Sequence, residues 1–486
     1  MNYKMMGRFI AQILSLEGIF MLPALTISVH LGEHPAIRGF AATIVILLAI
    51  SAALRMLCRG AKSNFYATDG MVCVALSWII LSLTGCLPFV ISREIPRFID
   101  ALFEIVSGFT TTGASILPAV ENLSKGILYW RSFSHWVGGM GVLVFLLAIV
   151  PSGDRGKGFT MHLLRAESPG PSVGKLVPRM RKTAAILYIL YIILTVADIV
   201  FLLLGGMSAF EAVCNAFGTA GTGGFGVRND SFASYSPYLQ NVTTVFMFLF
   251  GVNFSCYYLL LIGQVRSVLK DEELRAYFGI AFVSIALIAW NIRGLYSTVG
   301  ETLRHAAFQV SSIMTTSGFA TTDFDLWPSF SKTILLVLMV IGASAGSTGG
   351  GIKVARVLLL FKSLRRSFLQ MLHPSRVQLV RNNDQVVDEK VVESTNAYLI
   401  AYVFILFLSF LVLSLDGFST GTNFSAVLCC FNNIGPGLEA VGPTCNFSGF
   451  SVLSKLVLIT DMLLGRLEIF PILCLLSRHT WRRQVK

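Results

Sequence analysis

Four short polar turns interrupt otherwise apolar sequence: TTTG at 110–113, AGTG at 220–223, TTSG at 315–318 and NNIG at 432–435. Each follows a short apolar stretch, near 101–109, 209–217, 303–314 and 423–432, and successive turns lie about 95 to 117 residues apart. Small polar residues among apolar ones are costly to bury unless their polar groups find partners. What the turns share is glycine. Glycine reaches backbone conformations closed to other residues and lets another atom approach the main chain closely. A glycine-bearing strand can therefore aim its carbonyl oxygens at one point, where they replace the hydration shell of an ion. Because such ligands are backbone oxygens, the neighbouring side chains are free to differ between copies. TTTGAS at 110–115 reads as one quarter of an ion-selectivity filter.

Two further features belong to the same chemistry. GASAGSTGGG at 342–351 interrupts a long apolar segment, 331–361, with five glycines: Gly342, Gly346, Gly349, Gly350 and Gly351. Each glycine inside a helix costs roughly 1 kcal/mol relative to alanine, so the run predicts an unwound loop. Irregular backbone at membrane depth is tolerated where protein shields it or where it lines a water-filled cavity, as a loop beneath the filter would. A glycine-rich helix-packing face is the competing reading. Arg466, in DMLLGRLEIF, is a cation in the middle of an apolar span and needs a cavity and a partner. Carbonyls of the broken loop would serve, with an ion pair to Asp461 as the alternative, whereas Glu468 points elsewhere on a helix. An arginine below the filter would also raise an electrostatic barrier to cations.

The elements that must position these groups follow from composition. The 486 residues are 54% hydrophobic and 13% charged, with a mean hydropathy of +0.71, which excludes an ordinary soluble protein. Ten apolar spans, near 8–29, 37–57, 71–92, 128–150, 184–205, 239–263, 276–292, 331–361, 396–416 and 451–477, predict an all-α polytopic membrane protein. The basic start MNYKMMGRFI resembles a signal peptide, but without a small-residue cleavage site it reads as a retained first helix. From about residue 71 the order span, short helix, polar turn, span occurs four times, which predicts pseudo-fourfold symmetry about one pore. The expected divisions are 1–65 for two extra N-terminal helices, then repeats at 66–165, 166–268, 269–380 and 381–486.

Charge sets the expected orientation. Arg155, Lys157, Arg165, Lys175, Arg179, Arg181 and Lys182 crowd one connection, and eight more Lys or Arg residues, from Lys353 to Lys390, lie in or beside another. The 206–238 connection holds only Arg228, and 417–450 holds neither Lys nor Arg. The positive-inside rule places the basic connections and both termini in the cytoplasm and the four short stretches on the outer side. The net charge of +12 then faces acidic lipid, with no need of nucleic acid.

Other motifs lead nowhere. GTGGFG at 221–226 fits a dinucleotide fingerprint but follows helix-like sequence, and GSTGGGIK at 346–353 lacks the Lys-Ser/Thr ending of a phosphate loop. The nine cysteines form no CxxC pair, and there is no HExxH or GxSxG, so neither zinc nor an enzyme is indicated. An alternating-access secondary cation symporter would want an inverted repeat with broken helices in both halves, against four same-handed repeats with one clearly broken span here.

With these residues in view, the chain resembles the Trk/Ktr/HKT superfamily of potassium transporters, and within it the bacterial TrkH type. WRSFSHWVGGMGVLVF at 130–145, KLVPRMRKTA at 175–184, GASAGSTGGGIK at 342–353 and GRLE at 465–468 carry the likeness, which covers essentially the whole chain. The two extra N-terminal spans favour that type over the KtrB type. The resemblance implies that Gly113, Gly223, Gly318 and Gly435 are the filter glycines, four glycines favouring potassium, since in plant relatives a serine at the first goes with sodium permeation. It implies that Thr111, Thr112, Ala220, Gly221, Thr222, Thr316, Ser317, Asn433 and Ile434 line the potassium site. It makes the 342–351 loop with Lys353 an intramembrane gate and Arg466 its interacting arginine. It further implies a homodimer in the bacterial inner membrane, docked on a cytosolic ring of TrkA-like nucleotide-binding regulatory subunits. Consecutive glycines at 223 and 224 leave the register of the second turn open by one residue. Passive conduction, sodium coupling and proton coupling are all compatible with these residues.

Overall fold

The computed structural model describes residues 1–60, 66–141, 180–374, 378–383 and 385–481. The end of the predicted 128–150 span, most of the basic connection that follows it, including Arg155 to Arg179, and Arg376, Arg482, Arg483 and Lys486 lie outside the described residues. So does the proposed boundary between the first two repeats.

The N-terminal unit is a helical hairpin. Helices Tyr3–Phe20 and Leu22–Leu31 run on almost continuously, Gly32 in the left-handed conformation stops them, and His34–Leu57 returns. Where the apolar helices touch, Ser15 and Ser51 share a 2.7 Å hydrogen bond, and the Arg55 guanidinium donates to the Ser15 hydroxyl at 2.8 Å.

Each repeat then has three parts. The first helices are Ala67–Gly85 with its extension Leu87–Ser92, then Met180–Leu204, Glu272–Ile292 and Glu389–Leu413. The short helices are Phe98–Phe109, Ala209–Gly221, Val299–Met314 and Thr420–Phe431. Side-chain caps start the last three: Ser208, Thr298 and Ser419 accept from the backbone N–H of Glu211, Glu301 and Thr422. The second helices begin at Lys125, Pro237, Ser329 and Val452. Each second helix packs on the short helix of the next repeat, and that of the fourth packs on the short helix of the first, so the ring closes.

The second helices depart from the sequence expectation. Among the described residues, six helical stretches are long and apolar enough to cross a membrane, and a seventh, Pro237–Gly251 with Phe254–Leu261, is bent by 89° at its break. The third repeat breaks as predicted, after Ile341, and resumes at Val354. The fourth also breaks, between Arg466 and Phe470, with Glu468 and Ile469 at positive φ. The expectation of a single broken span is therefore corrected: three second helices break at corresponding places, and the first ends at Gly139. The freed backbone groups are satisfied from other repeats. At the second-repeat break, the Phe254 N–H donates to the Gly346 carbonyl at 3.1 Å, and Gly251 accepts from the Ser344 N–H at 3.1 Å. Beyond the helices, Arg381–Asn382 and Gln385–Val386 form a two-residue antiparallel hairpin on the basic side.

Candidate functional site

The four polar turns share one backbone conformation. Thr111, Thr222, Thr316 and Asn433, just past the ends of the short helices, have φ of 56°, 55°, 60° and 55°. Their N–H groups donate to the carbonyl three residues back, at 3.1 to 3.2 Å. The next N–H, of Thr112, Gly223, Ser317 and Ile434, reaches five residues back at 2.8 to 2.9 Å. This is the Schellman-type closure of a helix C-terminus, and it satisfies the last helical carbonyls. A glycine with φ between 76° and 101° follows in each case: Gly113, Gly224, Gly318 and Gly435. Left-handed backbone costs a non-glycine residue roughly 1–2 kcal/mol, so four such residues at equivalent places mark an imposed geometry.

That pattern moves the second turn by one residue. Ala220 and Gly221 belong to the helix Ala209–Gly221, and the glycine equivalent to Gly113, Gly318 and Gly435 is Gly224, whereas Gly223 matches Thr112. The second-turn residues equivalent to Thr111, Thr112 and Gly113 are therefore Thr222, Gly223 and Gly224, one position later than a turn whose glycine is Gly223. Local sequence could not decide, because either glycine tolerates the conformation.

The glycines also show how the turns meet. A Cβ on Gly113 would collide with the carbonyl oxygen of Gly223, one on Gly224 with that of Ser317, one on Gly318 with that of Ile434 and one on Gly435 with that of Thr112. The contacts run in one direction through the repeats and close on themselves. Four carbonyl oxygens, of Thr112, Gly223, Ser317 and Ile434, thus each lie against the glycine of a neighbouring turn, in one closed ring. Among the described residues no N–H or O–H donates to any of them. Buried carbonyls normally have a partner, so four without a donor among the described residues stand out.

Side chains behind the ring fix it. The Thr110 and Thr112 hydroxyls, and those of Thr315 and Ser317, are hydrogen-bonded at 2.8 Å. The Asn433 amide donates to the Thr112 hydroxyl at 3.0 Å and to the Met462 carbonyl at 2.9 Å, tying the fourth turn to the first. Past the first turn, buried Glu104 accepts from Arg131 Nε at 2.6 Å, the Ser115 hydroxyl at 3.0 Å and the Ile116 N–H at 3.0 Å. Arg131 also donates to the Gly226 carbonyl at 3.1 Å and stacks 3.5 Å from the Phe225 ring. His135 accepts from the Phe225 N–H at Nε2, 3.3 Å, so its Nδ1 carries the proton facing the Gly108 carbonyl at 2.7 Å. Sequence reading passed over Glu104, Arg131 and His135, although charged groups at membrane depth are themselves a signal.

The 342–353 segment lies directly against this ring. The Gly350 N–H donates to the Thr316 hydroxyl at 2.7 Å. A Cβ on Gly349 would come 2.9 Å from the Thr315 carbonyl, and one on Gly350 3.1 Å from Asn433 Cβ, so only glycine lets the loop seat there. Gly342, Gly346, Gly351 and Lys353 all have φ between 70° and 78°. Arg466 joins the loop to the first repeat: it donates to the Thr348 carbonyl at 3.0 Å, to Gly139 at 2.7 Å and to Gly138. The last two are carbonyls at a helix C-terminus, where a cation is favoured. Asp461 takes no part, accepting instead from the Ser409 hydroxyl at 2.8 Å. Glu468, past the helix end, pairs with Lys353 at 3.3 Å and with Arg356.

Comparison with known proteins agrees with this architecture. Residues 36–481 match the model of the TrkH family, described as cation transport protein. The chain is 35% identical over 490 residues to the Trk system potassium uptake protein TrkH of Escherichia coli strain K12, covering 99% of this chain and all of the relative. It is 33% identical over 474 residues to TrkG of the same organism, covering 96% of each. The crystal structure of the potassium transporter TrkH from Vibrio parahaemolyticus superimposes with a TM-score of 0.88 at 32% identity, covering 99% of this chain and 100% of that one.

Proposed function

Because the chain belongs to the TrkH family of cation transport proteins, we propose that it is the membrane subunit of a potassium-uptake system and conducts the ion through its own carbonyl ring. The observation that carries this reading is the closed ring itself: four carbonyls without protein donors, each beside a glycine of the preceding repeat. A ring of carbonyl dipoles can stand in for the water around a dehydrated potassium ion. The related proteins named for potassium uptake, similar over nearly their full length, support potassium as the cargo.

Regulation follows from the loop. Seated against the third and fourth turns and held by Arg466, it obstructs the path below the ring, and a cation crossing there would meet the guanidinium charge. Opening requires the loop to leave Thr316 and Arg466 together. The trigger in this reading is a cytosolic nucleotide-binding ring docked on the basic face of a homodimer in the bacterial inner membrane. The additional helix breaks do not revive the alternating-access reading, since they recur in repeats of one hand.

Rubidium uptake into proteoliposomes containing only this chain tests the proposal, with potassium or sodium as competitor. Saturable uptake suppressed by potassium and indifferent to sodium is expected. Equal suppression by both ions would overturn the potassium assignment.

A further inference from the structure

Three consecutive residues at the start of the third repeat connect the basic surface to the loop. Asp271 caps the helix Glu272–Ile292, accepting from the Leu274 N–H at 2.8 Å. Its other oxygen accepts from the Asn383 side-chain amide at 2.8 Å, while Asn383 Oδ1 accepts from the Glu272 N–H at 2.9 Å. Asn383 sits in the surface hairpin. Lys362 pairs with Glu272 and donates to the Arg381 carbonyl at 2.9 Å, which clamps the same hairpin to the same turn. Glu273, the third residue, faces inward, is 7% exposed and accepts from the Ala345 N–H at 2.5 Å.

Ala345 lies in the middle of the loop, between two bonds already described: Ser344 to Gly251 and Gly346 from Phe254. Those two tie the loop to the second-repeat break, whereas Glu273 supplies its connection to the third-repeat helix. Glu273 is the hydrogen-bond partner of the Ala345 N–H, so its removal leaves a buried donor unsatisfied, at a cost of roughly 1–3 kcal/mol.

We propose that Glu273 is a positioning residue that holds the loop closed, and that the first turn Asp271–Glu273 transmits displacement of the 381–386 hairpin to it. The proposal rests on the loop acting as the gate. It places the mechanical input at a surface feature on the basic side and the output at a single backbone N–H.

The test uses the full chain in lipid nanodiscs and proteoliposomes. Amide exchange of the 342–353 peptide should accelerate roughly tenfold in Glu273→Ala, with basal rubidium flux rising in step. Glu273→Gln keeps an acceptor oxygen at the same reach and should restore most of the protection and closure, which a bulk packing defect would not. Asn383→Ala should produce the same two changes to a smaller degree; no change would remove the hairpin from the route. If Arg466→Ala raises flux and Glu273→Ala does not, the positioning role is overturned. If exchange accelerates in Glu273→Ala while neither variant changes flux, the Glu273 contact stands and the gate reading fails. Should Glu273→Ala not yield intact protein, Glu273→Leu, which fills the space and offers no acceptor, takes its place: exchange no faster than in the unmodified chain overturns the tether.

Discussion

At the scale of single residues, the ring depends on glycines for two separate reasons. Gly113 and Gly224 adopt φ of 82° and 79°, and each also sits where a side chain would strike the next repeat's carbonyl. A serine at either position must therefore push aside a carbonyl oxygen of the ring as well as bear backbone strain. Gly113→Ser and Gly224→Ser are both expected to reduce discrimination of potassium over sodium, read as sodium competition in rubidium uptake. An unchanged competition profile in both would mean that these carbonyls do not select. Around the ring, the buried Arg131 and Glu104 offset each other's desolvation and spend their remaining hydrogen-bonding capacity on backbone of the first two turns. Such a pair is costly to break from one side, roughly 3–5 kcal/mol, which fits a part that must not move.

At the scale of elements, the helix breaks supply the backbone groups on which the proposed gate depends. A helix end exposes carbonyls, and Arg466 gathers the ends of the first-repeat helix at Gly138 and Gly139 together with Thr348 of the loop. One side chain thus closes three backbone elements at once. Removing it leaves those carbonyls to water and the loop with one fewer anchor. Arg466→Ala is expected to raise basal rubidium flux severalfold without any regulatory partner, while thermal unfolding of the purified protein stays cooperative. A variant that folds and conducts no faster would show that the arginine stabilises the fold without gating. The Lys353, Arg356 and Glu468 ion cluster lies at the resumption of the third helix and beyond the end of the fourth, so the two breaks are coupled by charge as well as by backbone contact.

At the scale of the whole molecule, apolar residues such as Phe282, Trp290, Phe404, Phe407 and Leu411 point outward from the first helices of the third and fourth repeats. An exposed apolar surface of that extent belongs against lipid. The charge asymmetry predicts which end faces out. Cys445 is exposed in the 417–450 connection, beside the turns, whereas the other eight cysteines are buried or half-buried. A membrane-impermeant maleimide applied to intact cells should label Cys445, and Cys445→Ser should abolish the labelling. Labelling that requires permeabilised cells would invert the orientation and with it the face on which a regulatory partner docks.

Much of this protein is written locally. Capping residues such as Ser208 and Thr298 start short helices, five glycines in ten residues forbid a helix at 342–351, and the spacing of four polar turns announces a repeated unit. These are short-range effects, set by residues within a turn or two of each other, so the chain determines them without help. What tertiary structure decided concerns groups satisfied across repeats. The break at Gly251 lacks a run of glycines and forms because its backbone bonds to the 344–346 segment instead. In the fourth repeat Pro471 stands just past the break, yet Glu468 within it pairs with Lys353 and Arg356 of the third repeat. The choice between Gly223 and Gly224 is made by the carbonyl of Ser317, almost a hundred residues away. Local sequence fixes which conformations are affordable; contacts between repeats select among them, because there the backbone groups left unpaired in one repeat meet those of another.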